Sequence, residues 1–121
     1  MKVRIDPLDT LFSKYIRLKN DNICEVCGKG ATQVHHYFGR RGWATRCDDD
    51  NVVAVCFSCH QWLHEDIDFA YEFFHKRLGS ERYELLRARA RTTKKRLKWE
   101  YEELKAKYRE KIKYLEKEES K

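Results

Sequence analysis

The hydrophobic positions of the chain fall into short, separate runs. In residues 94–119 the apolar positions Leu97, Tyr101, Leu104, Tyr108 and Leu115 follow a four-three-four spacing among charged residues, with Lys111 breaking the seam. That pattern predicts one long helix with a narrow apolar stripe, either packed on the body of the protein or paired with a second chain. Near the N-terminus, Leu8, Leu11, Phe12, Tyr15 and Ile16 share one helical face. They predict a short helix over 11–18, capped by Asp9-Thr10 and ended by Asn20-Asp21-Asn22. Residues 33–38 (QVHHYF) are rich in β-branched and aromatic side chains and predict a strand, and residues 51–55 predict a second. Between them, residues 39–50 read as a long polar loop. Ser58 is a candidate cap for a helix reaching about residue 65. Asp66 or Asp68 can cap the next helix, which carries Phe69, Tyr71, Phe73, Phe74 and Leu78 and meets Gly79 where a C′ residue belongs. Ser80 then caps a helix with Tyr83, Leu85 and Leu86. The class is α+β: an N-terminal helix, a small two-stranded core, and a helical extension.

Composition sharpens this picture. With 121 residues there is room for one small domain, residues 1–79, and an extension, residues 80–121. Charged residues make up 38% of the chain, so the core is small and in need of a staple such as a metal. No apolar run approaches the roughly 18 residues of a membrane span, and no secretory h-region is visible. A cytoplasmic location is therefore expected. In that compartment five cysteines point to metal ligation rather than disulfides, with Cys47 left as a free thiol.

The net charge of +6 is uneven. Residues 1–79 hold 11 Lys/Arg against 11 Asp/Glu, while residues 80–121 hold 15 against 9. The stretch 82–98 carries eight basic residues and one acid, Glu84. An excess of one sign on this scale points to a polyanion, most simply DNA or RNA, rather than to a merely solvated face.

Cys24-x2-Cys27 and Cys56-x2-Cys59 form two CxxC pairs. Each pair offers two thiolates from one turn, and Zn²⁺ takes four such ligands tetrahedrally. A closed site of four cysteines is structural, since it leaves no position for water. The histidines are then surplus to zinc. His60 and His64 are four residues apart and share a helical face, a spacing that can hold one ion between two imidazoles. His35 and His36 must point to opposite faces of their strand, so they cannot do the same job. His75, in an aromatic-rich helix, reads as structural.

The order CxxC, a strand with histidine, Asn, then CxxC-His resembles the HNH nucleases of the ββα-metal class. The matching residues are His36 in VHHYF, Asn51 in DNVVAVC and His60 in CFSCH. More closely, the run LFSKYIR, CEVCG, HHYFGRR, ATRCDDDN, CFSCHQ and the tail TTKKRLKWEYEELKAKYREKIKYLE look like the phage recombination proteins of the NinG/Rap family, over about residues 8–118. The resemblance implies a zinc-stapled HNH core and a DNA endonuclease acting on branched recombination intermediates such as Holliday junctions and D-loops, inside a bacterial host. It implies His36 as the general base, Asn51 as the brace of its loop, and His60 as a ligand of a catalytic Mg²⁺ or Mn²⁺ ion. His64 adds a second ligand on that face, and His35 either joins the ion or does not. The products would be a 3′-hydroxyl and a 5′-phosphate.

For DNA contacts, Arg40, Arg41 and Arg46 of the loop GRRGWATR are candidates beside the scissile phosphate. Arg87, Arg89, Arg91, Lys94, Lys95, Arg96 and Lys98 form a second basic surface. Trp43 stacks on an exposed base or packs internally. Two cuts on branched DNA suggest a homodimer, for which the last helix is one candidate seam. Two alternatives stay open. One is an HNH enzyme that nicks or restricts plain duplex. The other is a non-catalytic zinc-knuckle DNA-binding module, against which the set His36, Asn51 and His60 argues.

Overall fold

The structure is a computed structural model and describes residues 5–119; residues 120–121 of the expected extension lie outside that range. Helix α1 (Pro7–Lys19) starts earlier than its apolar spacing suggests. Asp6, not Asp9-Thr10, is the cap: its Oδ1 accepts from the Leu8 amide at 2.9 Å. Pro7 occupies the first helical position, where its fixed φ suits the helix and no N–H is missed. Asp21 and Asn22, both at φ 56°, turn the chain away after the helix.

Strand β1 (Gln33–His36) pairs antiparallel with β2 (Val52–Val55), in the register Gln33 to Val55 and His36 to Val52. β1 stops short of residue 38 because the Phe38 amide leaves the ladder, one residue after Tyr37 has continued its register. Tyr37 N–H donates to the Asn51 carbonyl (2.8 Å), and Phe38 N–H donates to the Asn51 side chain (2.9 Å). Gly39 then turns at φ 79°. The polar loop is more ordered than its composition suggests. It contains a single helical turn, α2 (Trp43–Arg46), and a 3₁₀ turn, Asp49–Asn51, capped by Asp48. All four β2 residues are fully buried, because α1 covers one face of the sheet while the next two helices cover the other.

Helix α3 (Phe57–Glu65) begins one residue before Ser58, with Cys56 in the cap position and no side-chain cap bond. Ser58 therefore lies inside the helix, and Cys56 turns its sulfur toward the other cysteines. Helix α4 (Ile67–Ala90) is capped by Asp66, which accepts from the Phe69 amide at 3.0 Å. Gly79, at φ 81° and ψ 161°, breaks it into two helical pieces at a conformation that side chains rarely tolerate.

Helix α5 (Lys98–Glu119) starts four residues later than the expected position 94. Arg96 stacks its guanidinium over Tyr101 (4.0 Å) and Trp43 (5.2 Å), which holds the preceding segment against α2. The apolar stripe of α5 packs on α1 of the same chain. Tyr108 is buried against Phe12 and Tyr15, with ring centroids 5.1 and 5.2 Å away. Ile112 fills the next inward position, so the stripe steps past Lys111 at the helical period, and Leu97 is left 40% exposed. Trp43 lies among Arg46, Arg96 and Tyr101 and has a packing role. The result is a small mixed domain, mostly helical, around a two-stranded sheet. Among the described residues no helix is long and apolar enough to cross a membrane.

Candidate functional site

Two ligand clusters flank α3. Cys24, Cys27, Cys56 and Cys59 converge, with their four sulfur atoms within 4.8 Å of one another. Cys27 and Cys56 lie 3.7 Å apart. Two thiolates on one tetrahedral zinc stand about 3.8 Å apart, given Zn–S bonds of about 2.3 Å. The first pair sits in a knuckle in which the Cys24 amide donates to the Lys29 carbonyl (2.6 Å) and the Gly28 amide to the Cys24 carbonyl (2.9 Å). Gly28, at φ 81°, makes that turn possible. Burial works against ionisation of Cys24, yet the amides of Cys27, Cys56 and Val26 bring its thiol down to about 7. The amide of Cys59 lowers Cys56. Cys59 is pushed up by burial and by the neighbouring sulfurs. A cluster with that asymmetry gives up its last proton to a dication, and these four cysteines can hold a zinc ion. Cys47 stands apart, its thiol pushed up to about 12 mainly by burial, with Asp9 next.

The second cluster is His35, His60 and His64, each with a ring nitrogen within 4.8 Å of the others. The Nε2 atoms of His60 and His64 are 3.1 Å apart. Two imidazole ligands on one ion, at bonds of about 2.1 Å, stand about 3.0–3.4 Å apart. His35 comes from β1 and packs against Phe74, only 4% exposed. Its Nδ1 is the one buried side-chain nitrogen or oxygen among the described residues that lacks a hydrogen-bond partner. Burial, followed by the neighbouring His64 and His60, holds its pKa down to about 3. Burial likewise lowers His60, with His64 and Arg40 adding to it. These two rings are therefore neutral near pH 7 and present lone pairs.

Strand alternation sends His36 to the other face, where its ring meets Phe12 at 6.2 Å. Its Nε2 lies 3.1 Å from the Arg46 carbonyl. A carbonyl only accepts, so Nε2 carries the hydrogen and Nδ1 carries the basic lone pair. Burial holds His36 down to about 4, partly offset by that carbonyl. His36, His60 and His64 edge one open cleft of about 300 Å³, together with Asp9, Ser13, Val34, Gly39 and Arg40.

Asn51 holds the Thr45 carbonyl, one residue before the Arg46 carbonyl. It is fully buried, accepts from the Phe38 amide (2.9 Å), and donates to the Thr45 carbonyl (3.0 Å) and the Gly39 carbonyl (3.4 Å). One side chain thereby ties both ends of the loop that ends at the His36 acceptor. Both CxxC pairs, all four of these histidines and the basic tail lie within residues 2–119, which match the family model of the bacteriophage lambda NinG protein.

The chain belongs to the NinG family. No curated protein and no solved structure matches it. In this NinG chain several of the basic residues expected on DNA also make contacts within the chain. Arg46 grips Asp9 with two nitrogens (2.9 and 2.5 Å) and lies 3.6 Å from Asp6. Arg89 bonds Asp48 (2.8 Å) and reaches Asp50 (3.5 Å). Arg96 is stacked on aromatic rings and Arg87 pairs with Glu84. Lys94 is held by Glu100 at 2.9 Å. Asp48, Asp49 and Asp50 form the junction behind this: Asp49 takes Lys19 (2.7 Å) and Asp50 also takes Arg82. Among the described residues, Arg41, Arg91, Lys95 and Lys98 remain exposed with no ion pair, and Arg40 reaches only loosely toward Asp9 (3.6 Å). Gln33 was not singled out from the sequence. It precedes His35 by two residues on the same strand face, which is the signal alternation offers for it.

Proposed function

We propose that this NinG-family protein is a metal-dependent endonuclease of the HNH, ββα-metal type that cuts DNA in branched recombination intermediates. The observation that carries the proposal is one cleft edged by His36, with its Nε2 held by a carbonyl, and by His60 and His64, to which His35 adds a third donor. His36 Nδ1 takes a proton from water as that water attacks phosphorus. The bond from phosphorus to the 3′ oxygen breaks, leaving a 5′-phosphate and, after protonation from solvent, a 3′-hydroxyl. A divalent ion held by His35, His60 and His64 would supply positive charge for the phosphate and the departing oxygen. Three imidazoles suit Mn²⁺ better than Mg²⁺, which favours oxygen ligands. Arg40 stands at the cleft to meet the neighbouring phosphate, and Arg41, Arg91, Lys95 and Lys98 extend the grip. Branched substrates are proposed on the family likeness. A dimer making paired cuts would need a surface other than the α5 stripe, which α1 covers.

Mutants separate the roles. His60→Ala should lose both ion binding and cutting. His36→Ala should lose cutting while still binding Mn²⁺ and DNA. If both variants cut like wild type, the site is not catalytic. If wild type binds DNA but cuts none, a binding module is the better reading.

A further inference from the structure

We infer that Gln33 is a positioning residue for the histidine metal site, holding His60 in the one tautomer that can bind an ion through Nε2. The inference rests on the proposed role of His35, His60 and His64. Its basis is geometric. Gln33 Oε1 lies 2.5 Å from His60 Nδ1. A carboxamide oxygen only accepts, so Nδ1 carries the hydrogen and Nε2 is left with the lone pair. That Nε2 is the atom 3.1 Å from His64 Nε2, the separation of two ligands on one ion.

Strand β1 explains why Gln33 is available for this. Gln33 and His35 are two residues apart and share the face that meets α3, whereas His36 turns toward α1. One strand thus supplies a ligand candidate, His35, and the group that orients the next ligand, His60. The backbone of Gln33 is held separately, by pairing with Val55. The side chain can therefore be changed without breaking the ladder. An acceptor bonded to the far nitrogen of a ligating histidine fixes its ring and its tautomer, and loss of such a partner typically weakens metal binding about 10- to 100-fold.

The test uses the full chain loaded with zinc at the cysteines. Mn²⁺ is titrated in and the free ion is followed by electron paramagnetic resonance. Long-range nitrogen–proton NMR on the Mn²⁺-free sample reads the His60 tautomer. Wild type should bind one Mn²⁺ per chain, with the His60 proton on Nδ1. Gln33→Leu should bind about 10- to 100-fold more weakly and lose the Nδ1 preference. Gln33→Glu keeps an acceptor in place and should restore both readouts. Equal affinity in wild type and Gln33→Leu, or a wild-type His60 protonated on Nε2, overturns the inference. A wild type that binds no Mn²⁺ overturns it together with the metal site beneath it. Wild-type cleavage separates the two ideas: if wild type cuts no DNA while the Gln33 variants behave as expected, the nuclease assignment fails and the Gln33 assignment stands.

Discussion

Asn51→Ala is the substitution that most sharply separates a brace from ordinary packing. The side chain is fully buried and makes bonds of 2.9 and 3.0 Å to the Phe38 amide and the Thr45 carbonyl, plus a weaker one of 3.4 Å to the Gly39 carbonyl. Each good bond contributes about 0.5–1 kcal/mol net, and stranding the Phe38 amide adds about 1–2 kcal/mol. The expected loss is therefore about 2–4 kcal/mol, a large share of the roughly 5–15 kcal/mol that stabilises a small domain. Thermal unfolding of the zinc-loaded chain should show Tm lower by about 8–16 °C. Asn51→Asp keeps an acceptor for Phe38 but turns an oxygen toward the Thr45 carbonyl, so it should rescue little at neutral pH. DNA nicking, assayed at a temperature where the variant is fully folded, should also fall, because the Arg46 carbonyl that aims His36 moves with the loop. A Tm within about 3 °C of wild type, with nicking unchanged, would refute the bracing role.

Other parts of the structure lead to four further outcomes. Cys59→Ser should cost the fold itself, seen as loss of a cooperative melt and of stoichiometric zinc; a soluble, cooperatively melting, zinc-free variant would contradict this. Alkaline pH should unfold the protein from about pH 10 upward. Tyr15, Tyr37, Tyr101 and Tyr108 all have raised pKa values, with burial the first cause in each. The unfolded chain therefore releases protons that the native state retains, so stability falls as pH rises. Far-ultraviolet ellipticity should drop together with the rise in tyrosinate absorbance, and Tyr108→Phe should make the decline shallower. Finally, Arg46→Ala should destabilise by about 1–3 kcal/mol in chemical denaturation, since it removes two charge-assisted hydrogen bonds from the part-buried Asp9 and leaves it only the looser Arg40. Arg41→Ala and Lys95→Ala should leave stability within about 0.5 kcal/mol but each lower the salt slope of DNA binding by about one.

What the sequence made legible was whatever depends on local spacing. Two CxxC pairs implied a sulfur cluster, and the four-residue step from His60 to His64 implied a shared helical face; the structure brings both groups together. The break at Gly79 was readable because glycine alone is at ease at that φ. What escaped the sequence depends on partners far along the chain. The ion pairs of Arg46 and Arg89 are such a case, because charge runs do not reveal that Asp9, Asp48 and Asp50 wait for them across the fold. The late start of α5 reflects Arg96 stacking on Trp43 and Tyr101, which competes with helix formation. A single turn such as α2 is too short to show periodicity. The early start of α1 was legible in Asp6-Pro7, but the apolar spacing pointed one turn later.

The most direct measurement is single-turnover cleavage of end-labelled DNA by the zinc-loaded chain, with a four-way junction and a linear duplex of the same sequence side by side. With Mn²⁺, wild type should nick the junction in preference to the duplex and leave 5′-phosphate and 3′-hydroxyl ends. His36→Ala should bind the junction equally well and leave it intact. No cleavage of either DNA with Mn²⁺, Mg²⁺, Co²⁺ or Ni²⁺, or full cleavage by His36→Ala, would contradict a nuclease built on these histidines.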